Sequence, residues 1–118
     1  MNGKAFPFEL LQKSMEFAAA SHRATSDNLA NANTPGYQAK HVEFLGDLQR
    51  ALHARQPNLG DVQARTVESE GLTSQLNGNN VDIDQQMTNL EKSALLHQTY
   101  SQLLATKMSI MRTAITGR

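Results

Sequence analysis

The first clear pattern along the chain is a strict alternation of three- and four-residue steps between apolar or small positions. It runs Phe8, Leu11, Met15, Ala18, His22, Thr25, Leu29 and Ala32, with Glu9, Gln12, Lys13, Glu16, Arg23 and Asp27 filling the other faces. Such spacing keeps one narrow stripe turned toward a partner helix, so residues 7 to 33 are predicted to be helical. A second stripe starts at Ile83 and continues through Met87, Leu90, Ala94, His97, Ser101, Leu104, Met108, Met111 and Ile115. It predicts a longer helix over about 84 to 116, with Leu95, Leu96, Tyr100 and Leu103 widening one flank. Asp82 or Asp84 offers the acceptor oxygen that a helix start needs.

Between these segments the pattern breaks. Gly46, Pro57, Gly60, Gly71 and Gly78 punctuate residues 35 to 80, and "NGNN" at 77 to 80 is a turn signal. Val42, Leu45, Leu48 and Leu52 predict a short helix over 41 to 54, and "VQARTV" at 62 to 67 predicts a short strand. The fold class expected is therefore mainly α: long N- and C-terminal heptad helices packed antiparallel as a coiled-coil-like core. An irregular, partly flexible middle holds a short helix and room for one strand or hairpin. One domain is expected over 1–118, its core from 1–34 and 81–118, with 35–80 as the excursion.

Composition sharpens this. Of 118 residues, 39% are hydrophobic and only 5% aromatic, with no tryptophan, so the core will be thin and a lone monomer marginal. Both stripes are poorest in large residues at their centres, at Ala18, His22 and Thr25 and at Ala94, His97 and Ser101. A helix pair with such a seam gains from further helices completing a bundle. Eleven basic and eleven acidic residues cancel, which argues against nucleic acid as a partner. No apolar stretch reaches the roughly 18 to 20 residues of a membrane span. The opening "MNGKAFPFELLQ" lacks the apolar run of a secretion signal. Absent cysteine removes disulfides and thiolate metal sites.

Candidate chemistry is sparse. His22 and His97 both occupy stripe positions and could meet across the helix pair, but packing is the plainer role for two histidines without further ligands. Asp82 and Asp84 at a helix start read as caps and dipole partners rather than as a metal or acid–base pair. Met87, Met108 and Met111 read as adaptable packing. No catalytic residue, metal ligand, cofactor or small-molecule substrate is expected, and the chain is not read as an enzyme.

The most particular string is "DNLANANTPGYQAK" at 27 to 40. Pro35 drives Thr34 out of helical geometry, so the helix must stop by about Asn33. Thr34-Pro35-Gly36-Tyr37 then predicts a type II turn, with Gly36 supplying the positive φ of the third position. Asn31 and Asn33 can cap the last carbonyls, Ala30 and Ala32 permit close approach, and Tyr37 can pack and hydrogen-bond at once. Alone, this is an ordinary helix stop. The exact residues, Asn28, Ala30, Asn31, Asn33, Thr34, Pro35, Gly36 and Tyr37, resemble the N-terminal signature of bacterial flagellar rod and hook axial proteins.

A second motif agrees. "NGNNVDIDQQM", with Gly78, Asn79, Asn80, Val81, Asp82, Asp84 and Met87, is similar to the stretch that opens the C-terminal helix in the proximal-rod FlgB family. The resemblance covers both terminal segments and is absent across 46 to 75. Asn77, Gln86, Ser93 and His97 depart from the family's usual residues.

The resemblance implies a structural subunit of the flagellar basal-body rod, exported from the cytoplasm without a cleaved signal into the periplasmic span. Its partners would be itself, other rod proteins, the MS-ring base and the export gate. The assembly seam would comprise Phe8, Leu11, Met15, Ala18, His22 and Leu29 with Leu90, Ala94, His97, Leu104, Met108, Met111 and Ile115. A small helical export chaperone or adaptor is the alternative.

Overall fold

A computed structural model describes residues 6–55, 58–69, 76 and 78–117. Helix α1 spans Phe6–Ala30, strand β1 Lys40–Glu43, helix α2 Leu45–His53, strand β2 Arg65–Glu68 and helix α3 Ile83–Thr116; a 3-10 turn lies at Leu59–Asp61. The molecule is a thin slab of 63 × 34 × 14 Å. Its length comes from α3, whose 34 residues reach about 51 Å at 1.5 Å per residue.

The two long helices lie side by side and antiparallel. Asn28 meets Gln86 near one end, Ala19 and His22 face Ala94 and His97 midway, and Phe8 meets Met108, Met111 and Ile115 at the other end. Helix α1 stops at Ala30, three residues earlier than the proline requires, because Asn31 and Ala32 tighten into a turn (Ala32 N–H to Leu29 carbonyl, 3.3 Å). Helix α3 is capped by Asp82, whose Oδ1 accepts from the Gln85 N–H at 3.2 Å. Asp84 is an exposed first-turn acid rather than the cap. At the far end Gly117, at φ +73, closes the helix through its N–H on the Thr113 carbonyl.

The α3 side of the expected stripe needs correction. Met87 is 52% exposed and Ala94 is also exposed, whereas their predecessors Gln86 and Ser93 are buried. Leu90, Tyr100, Ser101 and Leu104 are half-buried, and Lys107 is half-buried where Met108 is 56% exposed. The buried heptad therefore reads 86, 90, 93, 100, 104, with polar side chains in two of its best-buried seats. An apolar criterion shifts alternate positions by one residue because it cannot count a glutamine that is buried by being hydrogen-bonded. On α1, Ala18 and Thr25 are buried and Phe8, Leu11, Met15 and Leu29 are half-buried, while His22 is exposed.

The middle segment also differs in one place. Residues 40–43 form a strand, not the first turn of a helix from 41. They pair antiparallel with β2, Lys40 opposite Glu68 and Glu43 opposite Arg65. Alternating burial along Lys40–Glu43 matches a ribbon lying on α1. After Phe44 the helix runs as expected through Leu48, with Leu45 and Leu52 exposed.

The large-residue core lies under this middle segment rather than in the helix seam. Phe44, Leu59 and Val62 are buried against Leu10, Phe17, Leu48, Ala51 and Ala64. The Phe17 and Phe44 rings stack at 4.9 Å between centroids. Helix α1 is thus packed on two sides, by α3 and by the ribbon and 3-10 turn. Gln56, Pro57, residues 70 to 75, Asn77 and both chain ends lie outside the described residues, so the expectations placed there are left as they stand.

Candidate functional site

The two sequence motifs meet at one end of the helix pair. Thr34–Tyr37 closes as expected: the Tyr37 N–H donates to the Thr34 carbonyl at 3.2 Å, and Gly36 sits at φ +77. Asn31 Nδ2 donates to the Asp27 carbonyl at 2.8 Å, and its Oδ1 accepts from the Thr34 hydroxyl at 3.1 Å. Pro35, Gly36, Thr34, Asn33 and Ala30 are exposed at the tip, while Ala32 is buried with Ala39 and Val81 beneath the Tyr37 ring.

Asn28 is the centre of the arrangement. It is fully buried, yet every hydrogen-bonding position of its amide is used. Nδ2 donates to the Lys40 carbonyl (2.8 Å) and to Gln86 Oε1 (2.9 Å). Oδ1 accepts from the Lys40 N–H (2.8 Å) and the Tyr37 hydroxyl (3.0 Å). One side chain therefore ties α1, the turn, β1 and α3 together. A buried amide with all its partners specifies one arrangement, because any slip leaves donors or acceptors dry.

The second motif answers from the other side. Asn79, also fully buried, donates from Nδ2 to the carbonyls of Asn31 and Thr34, both at 2.8 Å, and its Oδ1 accepts from the Val81 N–H at 2.8 Å. Those two carbonyls lie in the turn beyond the end of α1, where each also accepts one backbone N–H, from Thr34 and Tyr37 in turn. Asn80 accepts from the Ala39 N–H and donates to the Ser69 carbonyl. Gln38 Nε2 reaches the Gly78 carbonyl at 2.7 Å. Gly78 adopts φ +81, and a Cβ there would stand 3.5 Å from the Gly36 Cα, so the two glycine turns lie against each other. Among the described residues no buried side-chain nitrogen or oxygen lacks a partner.

Burial raises the Tyr37 hydroxyl pKa above its ordinary 10.0, and the negative charges of Asp27 and Glu68 raise it further. The neutral phenol is the form that donates to Asn28.

Other candidates are brought together less tightly. His22 and His97 share an open depression with Ala19 and Ala94. Among the described residues, no group of three potential metal ligands occurs. His41 stands between Ser69 Oγ (2.9 Å) and Glu43 Oε1 (3.8 Å). That is the order of a hydrolytic triad, but these groups lie on an open two-stranded ribbon. No described helix is long and apolar enough to cross a membrane.

Gln86 and Ser93 are the buried seam residues that an apolar pattern overlooks. Their signal was the seven-residue step from Gln86 to Ser93, both at positions that depart from the family pattern.

The antiparallel terminal helices are thus locked together at one end by two asparagine- and glycine-rich motifs. The family model described as "Flagella basal body rod protein" matches residues 23–38, the end of α1 and its turn. The chain is 31% identical over 117 residues to the flagellar basal body rod protein FlgB of Bacillus subtilis, with 91% of each chain covered. It is 27% identical to FlgB of Aeromonas hydrophila, with 93% of this chain and 92% of that one covered, and 24% identical to FlgB of Salmonella typhimurium, with 90% of each covered. The chain belongs to the FlgB family of flagellar basal body rod proteins. It is a structural subunit of the basal-body rod.

Proposed function

We propose that this chain builds the proximal rod by packing its terminal helices against other rod subunits, itself included, between the MS-ring and export-gate base and the more distal rod. The observation that carries this is the apolar surface left on α3. Ile83, Met87, Leu95, Leu103, Met108, Ile110, Met111 and Ile115 are each 45% exposed or more. A helix apolar on several faces is built to be covered on several faces, and α1 covers one.

The chain acts as one domain without catalytic activity, takes no nucleic acid or small-molecule substrate, and works in the periplasmic span after export without a cleaved signal. A thin core and the absence of cysteine suit a chain that travels unfolded through a narrow channel. Nothing observed favours the chaperone or adaptor alternative.

The test is deletion of the gene with complementation by a tagged chain, followed by mass spectrometry of basal bodies stripped of hook and filament. The expected result is loss of motility, its restoration, and recovery of the tagged chain in the rod fraction. Motile deletants, or a chain confined to the cytosol, would overturn the proposal.

A further inference from the structure

The groove between α1 and α3 has two sides, and the described residues cover only one. Leu10 and Phe17 of α1 turn toward the Phe44–Leu59–Val62 cluster. Phe8 and Ala19, each two residues away from one of these, point about 160° round the helix at 3.6 residues per turn. On that far side the groove holds two openings. One, of about 290 Å³, is lined by Ala19, His22, Ala94 and His97. The other, of about 300 Å³, is lined by Phe8, Met108, Met111, Arg112, Ile115 and Thr116. The first exists because each histidine stands opposite an alanine of the other helix; the second is almost wholly apolar.

The outer face of α3 carries the converse shape. Leu95 and Ile110 are each 64% exposed, and Leu103 between them is 52% exposed. Leu95, Leu103 and Ile110 stand about 160°, 80° and 100° round the helix from buried Ser93, so the ridge lies on the outer flank of α3, opposite the flank that carries Ala94. The heights then coincide: Leu95 is level with the Ala94–His97 opening, and Ile110 with the Met108–Ile115 opening, since all belong to one helix. A second copy set beside the first, parallel and without axial shift, brings both knobs level with both holes.

The geometry points to a lateral contact between copies of this chain, in which the Leu95–Leu103–Ile110 ridge of one seats in the α1–α3 groove of the next. This rests on, and deepens, the rod-subunit reading. Parallel, in-register packing sets like against like, so a charged ridge would oppose it. From Leu95 to Ile110 the segment carries a single fixed charge, Lys107, which is half-buried; His97 and Tyr100 are its other ionisable groups, and Gln98, Thr99 and Gln102 flank the leucines. The contact is heterologous, ridge to groove, so each copy keeps a free ridge and a free groove and the arrangement can continue. Three leucine-sized side chains fall well short of the roughly 800 Å² per partner of a stable complex. An isolated pair is therefore weak, and repetition holds the contact.

The absence of cysteine permits a direct test by disulfide trapping. Cells co-express Ala19→Cys and Leu95→Cys copies, or in a second pair Phe8→Cys and Ile110→Cys, and isolated basal bodies are oxidised. The expected result is a linked dimer in each mixture and none when a single variant is expressed alone. Two results would overturn the contact: no linked species in basal bodies that contain both variants, or Leu95→Cys linking equally well by itself, which would mean a ridge-to-ridge contact. If the wild-type chain is absent from basal bodies, the rod reading fails instead. The same pairs in the purified, concentrated chain then decide the contact, with the same expected and overturning patterns.

Discussion

Replacing Asn28 should unlock the junction of the two motifs. Asn28→Ala removes four hydrogen bonds, two to the Lys40 backbone, one to Gln86 and one from Tyr37. At about 1 kcal/mol each for neutral bonds, the gross loss is about 4 kcal/mol. Water can reach half-buried Lys40 and Tyr37 and recover about 1 kcal/mol, and the better helix propensity of alanine returns a few tenths more. A net cost of about 3 kcal/mol is a large share of the 5 to 15 kcal/mol typical of a domain. With a urea slope of about 2 kcal/mol/M, the midpoint should fall by about 1.5 M. Asn28→Asp sharpens the test because it is isosteric and keeps both accepting positions. Gln86 can turn its amide to donate to the carboxylate, but the Lys40 carbonyl cannot, and a charge is now buried. The Asp variant should be at least as unstable as Ala at neutral pH and recover toward pH 4, where the carboxyl regains a proton to donate. Urea titrations followed by helical circular dichroism at both pH values check this. A midpoint shift below about 0.3 M for Asn28→Ala, or an Asp variant more stable than Ala at pH 7, would refute the network as the lock.

Gly36→Val should destabilise the chain and impair motility more than Tyr37→Phe. The Gly36 φ of +77 is hostile to a β-branched residue although a Cβ there meets nothing within 4 Å, whereas Tyr37→Phe loses one hydrogen bond; equal motility would count against the turn geometry. In a Tyr100→Phe background, absorbance titration of Tyr37 should show a midpoint above 10.0. Because the folded-state value is raised, the stabilisation is complete below pH 10 and is lost as pH rises through the folded midpoint, so Tyr37→Phe should flatten the alkaline fall in stability. Asp82→Ala removes the α3 cap bond from Gln85 and should cost about 1 kcal/mol, read as a lower thermal midpoint; an unchanged midpoint would mean that the start of α3 is held by the motif contacts alone.

Both long helices were legible in the chain because heptad spacing depends only on the repeat of a helix, and the Pro35–Gly36 turn because those two residues leave the backbone little choice. The ribbon was harder to read. Four residues at 40–43 bear the same apolar spacing as the start of a helix, and only their partner at 65–68, twenty-two residues or more away, decides between them. The motif residues were recognisable as a set, but not their wiring. Asn28 and Asn79 look like turn asparagines, and nothing local shows that one reaches Gln86 across the helix pair while the other bridges two carbonyls of the turn after α1.

The polar seats at Gln86 and Ser93 bear on why the two helices pair at all. The fully buried seats of the seam, Ala18, Thr25, Gln86 and Ser93, add little apolar area, so the hydrophobic effect, at about 25 cal/mol per Å², acts there through half-buried Leu11, Met15, Leu29, Leu90 and Leu104. What the polar seats provide is register. Asn28 to Gln86 fixes one end, so Ala19 must face His97, and the openings and the outer ridge take definite heights. Had α3 turned its large residues inward, the pair would be stronger, but Leu95, Leu103 and Ile110 would no longer be available to another subunit. The chain spends polar contacts on its own geometry and leaves its apolar side chains outside, which is the distribution expected of a subunit whose main burial takes place on assembly.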